Sequence, residues 1–156
     1  MRTLFGSLIL LSALASCQSG APPAPQPVPG HGAIAIEVVP NPIVAKRATG
    51  DNYDFPFEIV VKETGGHAVS LKRVSITVFA PGGFPVGSDS WNADEIQAMG
   101  TSPQIAASSV VRYRFNPRRE VPDERLFAGV TAELKVEAVD DTGTATSAKT
   151  SVSARK

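Results

Sequence analysis

Phe55-Pro56-Phe57-Glu58-Ile59-Val60-Val61-Lys62 alternates side chains with a period of two. In extended backbone, successive side chains point to opposite faces. Phe55, Phe57, Ile59 and Val61 are therefore expected inward, with Pro56, Glu58, Val60 and Lys62 mostly outward. Pro56 has no N–H to give to a ladder, so the strand must begin at a sheet edge or at its own end. Thr64-Gly65-Gly66-His67 follows as a tight turn. His67 reads as a solvated turn residue, because no cysteine and no second histidine of the folded domain is present to complete a metal site.

The same logic extends outward from this strand. Val69 to Ala80 is a second strand in two phases, Val69 and Leu71 in one, Val74, Ile76 and Val78 in the other. The slip at Lys72-Arg73 predicts a bulge or a twist. Pro81-Gly82-Gly83 stops it, and no strand period is visible from there to Gly100. Asn92 with Glu95 matches a capping box, and Gly100 is placed to close a short helix through Ile96 and Met99. Ser109 to Phe115 is a strand with Val111, Tyr113 and Phe115 inward and Arg112 and Arg114 outward. Asn116 to Arg125 reads as a charged loop broken by Pro117 and Pro122. Ala128 to Val139 turns Ala132, Leu134, Val136 and Ala138 inward. Asp140-Asp141-Thr142-Gly143 reverses the chain into a small, polar edge strand, Thr144 to Ser153, anchored by Ala148 and Val152. Upstream, Ala33 to Val39 is a strand ended by Pro40 and Pro42. The long connection 41–54 contains Ile43-Val44-Ala45, a brief extra edge strand.

This order of strands, with turn signals between them, resembles the immunoglobulin-like domains of bacterial surface proteins. Most of the likeness lies in Leu134-Lys135-Val136-Glu137-Ala138-Val139-Asp140-Asp141-Thr142-Gly143. The resemblance implies an all-β, immunoglobulin-like β-sandwich of about seven antiparallel strands, with one short helix between the third and fourth. The paired cysteines of antibody domains are absent, and Trp91 falls in a connection rather than on the third strand. In such a sandwich the 109–115 strand pairs antiparallel with 55–62, which should bring Arg112 or Arg114 to Glu58.

The N-terminus reads differently. Met1-Arg2-Thr3 precedes a charge-free run, Leu4 to Leu14, too short for the ~20 apolar residues of a membrane-spanning helix. Leu14-Ala15-Ser16-Cys17 then resembles the lipobox of bacterial lipoproteins at all four positions. The resemblance implies cleavage before Cys17, a diacylglyceryl group on its thiol and usually an acylated amino terminus, hence attachment to the membrane through that lipid. The other reading is an ordinary secreted protein whose mature chain starts with cysteine. Gln18 resembles the outer-membrane default in a Gram-negative source, which places the protein at the periplasmic face of the outer membrane. Ser19 to Gly32 carries five prolines and little to bury, so it suits an extended spacer of ~3.1 Å per residue. His31 in it reads as solvated. The expected division is 1–16 signal peptide, 17–32 lipidated cysteine and spacer, and 33–156 sandwich.

The chain has 15 basic and 15 acidic residues. Losing residues 1–16 leaves 14 basic against 15 acidic, a net charge of −1, which gives no attraction to nucleic acid. No nucleophile elbow, phosphate loop or metal cluster is legible, so no cofactor and no small-molecule substrate is expected. Asp51 and Asp54 are the only calcium-site candidates, and they lack the usual run of alternating oxygen ligands. Asp141-Thr142-Gly143 spells the tripeptide of aspartic proteases but lacks their apolar flank, and a hairpin turn explains it as well. The expected function is a lipid-anchored, non-catalytic envelope lipoprotein that binds or assembles with another envelope protein. The alternatives are a hydrolase using Asp141 and a purely structural spacer. The long connections 41–54, 81–100 and 116–125 share the end of the sandwich away from the spacer. They carry Tyr53, Trp91, Arg118 and Arg119, types that dominate binding hot spots. For Trp91 and Tyr53 the competing expectation is that they fold back over the sandwich end.

Overall fold

A computed structural model describes residues 29–156. Leu14–Cys17 and the rest of residues 1–28 lie outside the described residues. Twelve strands, one α-helix and one 3-10 turn follow in order: β1 (Ile34–Val39), β2 (Ile43–Val44), β3 (Lys46–Arg47), β4 (Asn52–Asp54), β5 (Phe57–Glu63), β6 (Val69–Phe79), β7 (Pro85–Asn92), α1 (Ala93–Ala98), β8 (Gln104–Ile105), β9 (Val110–Phe115), β10 (Arg118–Glu120), the 3-10 turn (Glu124–Phe127), β11 (Thr131–Asp140) and β12 (Ala145–Arg155).

The long strands form an all-β sandwich. One sheet has the order β1-β5-β9, antiparallel throughout. The other runs β12-β11-β6-β7, also antiparallel, with β2 added in parallel to the last residues of β12 and β8 beside the start of β6. The inward residues of both sheets meet in one core. Ile59 and Val61 of β5, Val74 of β6, and Leu134 and Val136 of β11 are fully buried within it. Phe57 stacks on Phe115 at 5.4 Å, and Trp91 reaches the same ring at 4.6 Å.

The expected phases of 55–62, 109–115, 128–139 and 144–153 hold. Phe57, Ile59, Val61, Tyr113, Phe115, Leu134, Val136, Ala148 and Val152 are all buried. The slip in β6 is a bulge at Lys72. Glu137 of β11 faces Arg73 while Ala138 faces Leu71, leaving Lys72 without a partner. One extra residue returns Val69 and Leu71 to the face used by Val74 and Ile76. Glu58 does meet both arginines of β9, Arg114 at 2.8 Å and Arg112 at 3.3 Å.

Three expectations need correction. The 85–92 stretch, read as lacking a strand, is β7, and Trp91 stands on that strand opposite Val74 rather than in a loop. Pro85-Val86-Gly87-Ser88-Asp89-Ser90 shows no apolar alternation because its outer face and edge are wet. The pairing is set by the hairpin, in which the Ala80 N–H donates to the Phe84 carbonyl at 2.8 Å. The charged loop 116–125 contains β10 and the start of the 3-10 turn, and the 41–54 connection contains β3 and β4. These combine as a small separate sheet, β10-β4-β3. Finally, β12 is not a bare edge, because β2 covers its last two residues. The short helix forms as its capping box requires. The Asn92 side chain accepts from the Glu95 N–H at 3.0 Å, and the Asn92 N–H donates to Glu95 Oε2 at 2.7 Å. Ile96 is buried beneath it, and Gly100 leaves the helix at φ +90°.

Candidate functional site

The two ends of the sandwich differ in chemistry. One is a knot around the incoming chain. Glu63 ends β5 on an inward position and is 1% exposed. Its carboxylate accepts from the N–H groups of Ala33, Gly65, Gly66 and Ser108 at 2.6–3.2 Å. Burial raises its pKa, and these four donors more than offset that, holding it below 4.5. Asp140 ends β11 in the same way. It accepts from the Thr142 hydroxyl, and from the N–H groups of Gly32, Thr142 and Thr144, at 2.7–3.0 Å. The Thr142 hydroxyl leads these donors in pulling its pKa far below the usual carboxylate range. Gly65 packs so closely on residues 31–33 that a Cβ there would lie 2.1 Å from the His31 carbonyl oxygen.

The last residues of the stretch read as spacer are therefore bound to the sandwich. His31 is not merely solvated, since its Nδ1 lies 3.1 Å from the Thr144 hydroxyl. Nor is His67, whose Nδ1 lies 3.0 Å from Asp141 Oδ1. This bears on the Asp141-Thr142-Gly143 tripeptide. Asp140 is fully engaged in shaping the turn, and Asp141 faces a histidine rather than a second carboxyl with which to share a proton. Among the described residues, no group of three or more His, Cys, Asp or Glu side chains converges to hold a metal. Asp54 is spent on Arg118 and Asp51 lies 3.8 Å from Arg47.

The opposite end gathers the 41–54 and 116–125 connections and the turn that opens 81–100, while the rest of 81–100 runs back along β6 as β7 and α1. The predicted contact residues are brought together there, but they are occupied. Tyr53 is 1% exposed, packs edge-on against Phe127 and donates its hydroxyl to Glu124 at 2.5 Å. That hydrogen bond raises the Tyr53 pKa. Arg118 grips Asp54 through two hydrogen bonds of 2.7 and 2.9 Å, which lowers the pKa of Asp54 and raises that of Arg118. Arg119 pairs with Asp89 across to β7. Trp91 is half-buried against Phe115. Tyr53 thus folds back over the sandwich end and the two arginines tie its small sheet down, while Trp91 packs inward from β7, opposite Val74.

What remains open at this end is an apolar cavity of about 280 Å³ between the sheets. Its floor is core, including Phe57, Ile76 and Ala132, and its roof is Leu126, Phe127 and Val130. Val86, Gly87 and Asp89 of β7, with Arg119 and Glu120 of β10, stand around it. Phe84, Val86 and Leu126, three of the six exposed large hydrophobics among the described residues, belong to these same segments. Sequence reasoning passed over them because a lone Phe or Leu in a Pro- and Gly-rich connection carries no period. The one available signal was that the turn 81–86 holds two large apolar residues where a solvated turn needs none.

Fold and site together define a non-barrel, all-β sandwich with an apolar cavity at one end. Comparison with known proteins adds to the fold alone. No protein-family model matches the chain, and no curated protein does. Among solved structures it is similar to the structural-genomics target SoR45, at 11% identity and a TM-score of 0.53, over 81% of this chain and 89% of that one. It is also similar to a protein designated ApaA from Bordetella pertussis, at 14% identity and a TM-score of 0.56, over 82% of this chain and 98% of that one.

Proposed function

We propose that this protein is a lipid-anchored, non-catalytic envelope lipoprotein whose sandwich, of immunoglobulin-like type, binds another envelope protein at the end remote from its anchor. The lipobox Leu14-Ala15-Ser16-Cys17 supplies the anchor. One observation carries the rest: residues 31–33 are held at the Glu63–Asp140 end, while the apolar cavity opens at the other. A tether leading to a membrane from the first end leaves the second facing outward, where another protein can reach it. Placement at the periplasmic face of the outer membrane rests on Gln18 and a Gram-negative source. A hydrolase using Asp141 gains nothing from a turn in which Asp140 already serves four donors.

Cys17→Ser tests the anchor. The thiol is needed for the lipid, and nothing in the sandwich depends on it. The variant should move from the membrane to the soluble fraction with an unchanged circular dichroism spectrum. A serine variant that still sediments with membranes would refute the lipobox reading. Whole-cell cross-linking tests the binding half, since a pure spacer would yield no reproducible partner.

A further inference from the structure

The larger sheet ends at β7, which pairs with β6 and, among the described residues, with no other strand. An open strand edge presents a row of N–H and C=O groups ready to pair with another extended chain. Natural edges are blunted with lysine, proline or a bulge. In β7 the proline and the bulge, Pro85 and Val86, sit at its first two residues, and Gly87 to Asn92 carries no lysine and only one charged residue, Asp89, already paired with Arg119. The same strand borders the apolar cavity through Val86, Gly87 and Asp89. Strand addition uses this combination, in which backbone hydrogen bonds give affinity and a pocket beside the edge selects a side chain.

We propose that an extended segment of a partner protein adds to β7 as a further strand and places one large apolar side chain, of Phe or Leu size, in the cavity. This rests on the envelope-module reading above and names the partner's chemistry. Two observations favour a protein segment over a lipid. Cys17 to Pro29 is thirteen residues of chain, ~40 Å when extended at ~3.1 Å per residue. It joins at Gly32, and the ten residues of β11 add ~33 Å more at ~3.3 Å per residue. The cavity thus lies at the end of the molecule turned away from the bilayer. The rim is also charged: Asp89 is matched by Arg119, while Glu120 has no ion-pair partner among the described residues. That net negative rim suits a lysine or arginine flanking the apolar anchor.

Gly87 provides the test. A Cβ there meets nothing within 4 Å and its φ is not left-handed, so Gly87→Leu fits the strand while filling the mouth. The probes are acetylated seven-residue peptides of alternating Val and Thr with lysine at both ends and a central Phe, the same peptide with a central Ala, and the Phe peptide N-methylated on one backbone edge. Binding to the full-length protein is read by calorimetry and by emission of Trp91, the only tryptophan and a residue of β7. The Phe peptide should bind. The Ala peptide, the N-methylated peptide and the Gly87→Leu protein should each bind at least tenfold more weakly, while Ser88→Ala leaves affinity unchanged. No binding of the Phe peptide, or equal binding of all three peptides, would overturn the proposal. So would decanoate binding at the cavity in its place, or a dimer through β7 that Gly87→Leu abolishes. If any of these occurs while cross-linking from the cavity end still traps a protein, strand addition fails alone. If that cross-linking also yields nothing, the envelope-module reading fails with it.

Discussion

Glu63 is a carboxylate placed where period two demands an apolar side chain. It follows Phe57, Ile59 and Val61 on the inward face of β5 and is as buried as they are. Its role is to collect four N–H groups from three segments and so tie those segments together at this end of the sandwich. Removing its charge weakens every one of those bonds, so Glu63→Gln should lower stability at pH 7 by about 2 kcal/mol, read as the urea midpoint. The pH dependence has a definite sign. The folded pKa is below the ordinary 4.5, so the contribution is present above pH ~4.5 and is lost as pH falls through the folded value. Asp140, shifted the same way, adds to that trend. The wild-type urea midpoint should therefore fall from pH 6 towards pH 3, and Glu63→Gln should show a shallower fall. An equally steep fall in the variant would contradict this account of Glu63.

At the scale of elements, the bulge at Lys72 shows how one residue keeps two halves of a strand in phase. Deleting Lys72 removes the extra residue and leaves Val69, Leu71, Val74 and Ile76 alternating regularly on one face opposite β11, so the deletion variant should keep its core and melt near the wild type. A deletion variant that loses its core packing and melts far below the wild type would contradict this account of the bulge. Trp91 makes a second element-scale prediction. Because it covers Phe115 at the edge of β7, Trp91→Ala should cost ~3 kcal/mol in thermal or chemical unfolding, so loss of binding in that variant would report folding first. The long strands were legible because each buries one face, and that face dictates the alternation. The helix was legible because Asn92 and Glu95 are a local device that needs no partner. β3, β4 and β10 were not, since two or three residues hold no period and their pairing depends on Arg118 meeting Asp54, 64 residues away in sequence. β7 was missed for a related reason: its pairing comes from β6 and its turn, while its exposed residues, Pro85, Val86, Gly87, Ser88, Ser90 and Asn92, include a single large apolar side chain.

The whole molecule is a two-ended object. The expectation that the long connections cluster away from the spacer holds for 41–54 and 116–125, whereas 81–100 leaves that end as β7 and runs back along β6. Naming Tyr53, Arg118 and Arg119 as contacts was less sound, because sequence does not show which aromatic or basic groups are already partnered. The cavity beneath Leu126 and beside β7 is the part of that end left without partners. The central claim is this polarity, and site-specific photo-cross-linking in living cells tests it most directly. A photoreactive residue at Leu126 should trap the same protein reproducibly, and one at His67, on the end that holds residues 31–33, should trap none. Trapping from His67 with none from Leu126 would contradict the account.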